Sequence, residues 1–160
     1  MDKAQIYQLL DEQGIEYEVT EHKAVFNMRE LEEVRLPYPE LDAKNLFVRD
    51  DKRQNYYLIT VKGDKRVDLK DFHRKNGLRA LTFASLEELE DRLGLTPGSV
   101  SPLGILNDAK RQVIFYLDAA FSGTRIGVHP NENTATVWLR SEDLLSLIRA
   151  HGNEVRWAEF

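Results

Sequence analysis

Residues 44–63, KNLFVRDDKRQNYYLITVKG, restrict the fold more than any other stretch. Two runs rich in β-branched and aromatic residues, 44–50 and 55–63, flank the charged tetrapeptide Asp51-Lys52-Arg53-Gln54. That pattern predicts two paired strands joined by a turn. Around them the periodicity alternates. Ile6, Leu9 and Leu10 recur at helical spacing up to Gly14, and a short strand is expected at 17–20. Asn27 with Glu30 reads as a capping box for a second helix whose face carries Met28, Leu31 and Val34, closed by Pro37 and Pro39. A polar helix is expected over 68–75 and a strand over 78–83. Ser85 and Glu88 then cap a helix with Leu86, Leu89 and Leu93 inward and Gly94 just past its end.

The segment 96–108, TPGSVSPLGILND, is rich in Pro, Gly and Ser and reads as a loop. Strands are expected at 113–118, 124–128 and 134–139. Ser141 opens a last helix with Leu144, Leu145 and Ile148 that ends at Gly152, and the chain closes on the strand-like EVRWAEF. With no repeat and no linker, the expectation is one α/β (α+β) domain spanning 1–160, with about six to seven strands.

Cysteine is absent, which excludes disulfides, thiolate catalysis and Cys-ligated zinc and suits a cytoplasmic location. The N-terminus lacks a signal-peptide layout, and no apolar run reaches membrane-spanning length. The four histidines, at 22, 73, 129 and 151, show no paired metal-ligand spacing, so no metal is expected. The net charge of −5 is unevenly spread. Residues 44–79 hold 11 of the 22 Lys/Arg and 5 of the 27 Asp/Glu, a balance of +6, so the remainder carries 11 minus 22, or −11. This segment is either a solvated, salt-bridged surface or a positive face for a nucleic-acid partner, with Lys52, Arg53, Lys62, Lys65 and Arg66 as its candidate contacts.

Three short stretches can carry chemistry. Lys44 opens a strand and shares a face with Leu46 and Val48, while Asn45 and Phe47 point the other way. It is either a strand-end lysine whose stem reaches water or a cation aimed at an anionic or carbonyl group. In GVHPNENTATV (127–137), Gly127 permits close approach, Pro130 holds His129 extended, and Asn131 and Asn133 suit turns. An ordinary Asn/Pro turn has the same composition. The 98–104 loop offers backbone amides that can form an oxyanion nest.

Lys44-Asn45-Leu46-Phe47, Ser101-Pro102-Leu103-Gly104, Asp118 at the end of VIFYLD, and Gly127-Val128-His129-Pro130-Asn131, in this order, resemble the YbaK/ProX family of trans-editing aminoacyl-tRNA deacylases. The likeness covers nearly the whole chain and is greatest to its free-standing prolyl-tRNA editing branch. It implies a mixed, partly barrel-like sheet with surrounding helices, and hydrolysis of tRNA(Pro) mischarged with alanine without a cofactor. Clearance of Cys-tRNA(Pro), or a catalytically silent tRNA-binding module, are the other readings. The resemblance gives catalytic roles to Lys44, Gly127 and His129. It places Met28, Asn45, Ser101, Pro102, Gly104, Asp118, Pro130 and Asn131 around the aminoacyl end. The implied partners are the tRNA(Pro) acceptor end and prolyl-tRNA synthetase, with neither membrane nor DNA involved.

Overall fold

A computed structural model describes residues 1–24 and 36–160. The expected second helix, with Met28, lies outside the described residues. The chain begins with α1 (Lys3–Glu12), which Asp2 and Gln5 close in a reciprocal capping box, burying Ile6 and Leu10. β1 (Tyr17–Glu21) follows, then β2 (Ala43–Asp50) and β3 (Tyr56–Lys62), which pair antiparallel as the sequence predicts. α2 (Leu69–Lys75) is capped by Asp68. β4 (Leu81–Phe83) is shorter than expected, and α3 (Leu86–Leu93) carries the Ser85–Glu88 capping box and ends on Gly94 at φ +64°. β5 (Ile114–Asp118), β6 (Arg125–Val128), β7 (Ala135–Arg140), α4 (Ser141–His151) and β8 (Val155–Ala158) complete it.

The described strands number eight and form two sheets, where one partly closed sheet of six or seven was expected. One sheet is antiparallel in the order β1-β7-β6. The other, β4-β2-β3-β5-β8, is antiparallel through β3 and parallel from β3 to β8. β3 pairs with β2 along its length and β4 pairs with it at Val48–Asp50, and Asp42, just before the strand starts, reaches the other sheet. It does so through one parallel bridge to Gly127.

A large apolar cluster gathers Phe47, Leu58, Phe115 and Leu117 with Ile126, Val128, Val137 and Leu139, packed by α1, α3 and α4. A smaller one lies on the opposite face of the five-stranded sheet, where Val48, Tyr57, Ile59, Val61 and Tyr116 meet Phe72 of α2. β3 is therefore buried on both faces, as its unbroken apolar run requires.

Two expectations change. Leu86 does not point inward but is 68% exposed. As the first residue of α3 its side chain leans back past the helix start, beside Phe83 on the edge strand, whereas Leu89 and Leu93 supply the buried stripe. The 96–108 loop is partly regular, forming 3-10 turns at Pro97–Ser99 and Pro102–Asn107. In each a proline presets φ at the start, and in the second the Ser101 hydroxyl accepts from the Leu103 amide. Leu103 and Ile105 thereby enter the core.

Candidate active site

Strand β7 alternates. Ala135, Val137 and Leu139 face the main core, and Thr136 and Trp138 face the other side of the three-stranded sheet. That second face is polar yet enclosed, since Thr136 and Trp138 are both buried. The Trp138 indole N–H donates to Thr20 Oγ1 at 2.9 Å, and Tyr38 packs edge-on against its ring at 5.4 Å. Gly127 lies directly across from Trp138, and a Cβ there would sit 2.4 Å from the indole ring. The close approach that the glycine permits is thus made by the protein's own tryptophan.

His129 follows β6 on this side. Its Nδ1 lies 2.9 Å from the Ala135 carbonyl oxygen. A carbonyl only accepts, so Nδ1 carries the proton and Nε2 keeps the lone pair. Burial lowers the imidazole pKa below its ordinary value, nearby His22 lowers it further, and the Ala135 carbonyl opposes both. The two rings stand 6.1 Å apart at 61°. His22 is fixed in turn by the Lys23 carbonyl at 2.7 Å and the Thr136 hydroxyl at 3.0 Å.

The 101–104 segment joins from the side. Ser101 Oγ donates to the His129 carbonyl at 2.5 Å, setting the histidine's backbone. Asn131, at φ +63°, donates from Nδ2 to the Met1 carbonyl at 2.9 Å and reaches the Leu103 carbonyl at 3.5 Å. Pro102, Gly104 and Pro130 are buried. Gly104 packs so tightly that a Cβ would fall 2.4 Å from Leu95 Cδ1.

Lys44 enters through the seam. The Asp42–Gly127 bridge is parallel, so Lys44 and His129, each two residues beyond it, leave the bridge in the same direction. Lys44 Nζ donates to the Lys65 carbonyl at 3.3 Å. On the opposite face of β2, Asn45 Oδ1 accepts from Thr60 Oγ1 at 2.6 Å. Asn45 also lines a groove of about 160 Å³ with Phe47, Phe83, Leu86, Pro97 and Val100. Asp42 is half-buried, and desolvation raises its carboxyl pKa to about 7 against the weaker effect of the Ala43 amide.

Asp118 is engaged internally. It is 1% exposed, pairs with Lys65 Nζ at 2.8 Å, and accepts from the amides of Lys62 and Ala120. Of the basic candidates, Lys65 is committed to that pair and Lys62 lies 6.0 Å from the Phe121 ring centre, while Lys52, Arg53 and Arg66 are exposed. Among the described residues no cluster of His, Asp and Glu could hold a metal ion, and no helix is long and apolar enough to cross a membrane. Sequence reading did not single out His22, Thr20, Thr136, Trp138, Tyr38 or Asp42. The available signal was the Thr-x-Thr-x-Trp alternation in 134–138, which marks a second, polar face on a strand otherwise built for the core.

The family profile described as an aminoacyl-tRNA editing domain matches residues 22–147. The chain is 40% identical to the prolyl-tRNA editing protein ProX of Acetoanaerobium sticklandii, over 94% of this chain and 92% of that protein. It is 32% identical to the prolyl-tRNA synthetase associated domain-containing protein 1 of Mus musculus, over 95% and 92%. Among solved structures, a proposed trans-editing enzyme for prolyl tRNA synthetase superposes with a TM-score of 0.69 at 21% identity, covering 99% of this chain and 96% of that one. At that identity the superposition establishes a shared fold.

Proposed function

The chain belongs to the aminoacyl-tRNA editing domain family, and on that premise we propose that it is a trans-editing deacylase hydrolysing the ester of mischarged tRNA(Pro), with Ala-tRNA(Pro) as its substrate. The observation that carries this reading is 40% identity, over nearly the full length of both chains, with a protein named for prolyl-tRNA editing.

An aminoacyl ester is already activated, so the protein has only to hold it, place a water and stabilise the oxyanion. Lys44 binds the terminal adenosine or its phosphate. His129, kept neutral with its lone pair on Nε2, accepts a hydrogen bond from the attacking water and orients it. In the 98–104 loop the amides of Ser99, Leu103 and Gly104 are spent on the Thr96 carbonyl, the Ser101 hydroxyl and the Ser101 carbonyl. The oxyanion role therefore falls to the amides of Gly98, Val100 and Ser101 or to that of Gly127. Alanine is told from proline by size, because a close-fitting wall rejects the larger ring by clash. The exposed Lys52, Arg53 and Arg66 meet acceptor-stem phosphates, and the protein acts in the cytoplasm alongside prolyl-tRNA synthetase.

The test is single-turnover hydrolysis of tRNA(Pro) charged with Ala, Cys or Ser. Ala-tRNA(Pro) is cleaved fastest, and Lys44→Ala slows it by about 100-fold or more, the usual cost of removing a positioned charge from such a site. Preferential release of Cys would move the protein to the other branch of the family. If no ester is cleaved, the protein is a binding module.

A further inference from the structure

We propose that Asp42 receives the α-ammonium group of the aminoacyl ester, so that the site selects esters of free amino acids. The assignment rests on the deacylase reading and adds to it a residue and a chemical requirement on the substrate. Asp42 holds the point where the two sheets meet: its backbone bridges to Gly127, and its carbonyl accepts from the Gly63 amide at 3.0 Å. The bridge belongs to the chain segments that carry Lys44 and His129, so Asp42 is fixed by backbone bonds at the root of the site.

Strand alternation puts Asp42 and Lys44 on the same side of the chain, about 6–7 Å apart along it. The two charges are nevertheless not paired with each other. Lys44 Nζ is turned to the Lys65 carbonyl, Lys65 is held by Asp118, and Lys62 lies by the Phe121 ring. Among the described residues no ion pair reaches Asp42, and the Ala43 amide is the partner of its carboxyl. A half-buried carboxylate with no ion pair among the described residues, although Lys44 shares its side of the strand, is stabilised by a cation that arrives with the ligand. An aminoacyl ester brings that cation, an ammonium on the carbon next to the reacting carbonyl. The adjacent Lys44 suits the oxygen-rich, anionic side of the same ligand, so the two opposite charges match a ligand that carries both.

The closing experiment compares Ala-tRNA(Pro) with lactyl-tRNA(Pro), in which a hydroxyl of nearly the same size replaces the ammonium. Rates are taken in single turnover, each divided by its uncatalysed rate to remove the ammonium's own activation of the ester. Wild-type protein is expected to favour the alanyl ester by at least about tenfold, the scale of one charge-assisted hydrogen bond. Asp42→Asn keeps an acceptor for the Ala43 amide and should bring the preference to within about twofold. Asp42→Ser serves as a second variant, with thermal melting to verify folding. A wild-type ratio near one overturns the assignment without any variant, and so does a ratio that survives in both substitutions. Wild-type protein that leaves both esters intact overturns the deacylase reading itself.

Discussion

A methyl group at residue 127 would have nowhere to go. The site's glycine is fixed by the Trp138 indole, a buried and rigid neighbour that cannot swing aside, with 2.4 Å between its ring and the position of a Cβ. Gly127→Ala should therefore lower unfolding stability by about 1–3 kcal/mol, the range for an overpacked interior. Chemical denaturation measures this, and a double-mutant cycle with Trp138→Leu identifies the cause. The smaller side chain makes room, so Gly127→Ala costs less in that background than in the native one. Equal costs in both would mean that the indole is not what excludes the methyl. The sequence shows only that position 127 tolerates close approach by something. The neighbour itself comes from strand pairing across eleven residues, a long-range fact that no local pattern contains.

At the scale of elements, local chemistry was legible where it is self-contained and not where elements meet. The Ser85–Glu88 capping box was readable because both halves of the motif lie within four residues. Leu86 was misread because helical spacing cannot tell a first-turn leucine beside an edge strand from one over the core. Asp42 sits in no motif, and His22 reads only as one of four histidines without metal-ligand spacing; both acquire their surroundings from partners far along the chain. Glu88 shows how a local cap gains a longer-range role. Burial alone would raise its carboxyl, but the Tyr56 hydroxyl, the Ser85 amide and the Arg49 guanidinium outweigh burial and bring its pKa down to about 2. It thus ties α3 to β2 and β3. A carboxyl depressed in the folded state stabilises fully above its ordinary value of 4.5, and that contribution drains away as pH falls towards about 2. Glu88→Gln should flatten the acid limb of stability between those limits, read from melting temperature against pH. A limb as steep as the native one would show that other carboxyls govern acid unfolding.

Over the whole molecule, a net charge of −5 coexists with a segment at +6, but the structure divides that segment's charges into two kinds. Arg49 is spent on Glu88, Lys65 on Asp118 and Arg79 on Asp51, so these act on the fold more than on a partner. Lys52 and Arg53 differ. Asp50, itself buried, accepts from the amides of Lys52 and Gln54 and clamps the β2–β3 turn, with Arg53 at φ +54°. The turn is rigid at its base and presents both cations to solvent. A cation that meets a nucleic-acid phosphate displaces a counterion, and each such contact contributes about 0.9 to the slope of log affinity against log salt on a duplex. Reversing Lys52 and Arg53 to glutamate should weaken tRNA(Pro) binding most at low salt and reduce that slope by about 1–2, with melting temperature nearly unchanged. Reversing Lys65 should instead lower stability, because it leaves the Asp118 carboxylate buried beside a like charge. An unchanged salt slope in the double variant, measured by filter binding from 50 to 200 mM salt, would remove the β2–β3 turn from the docking face.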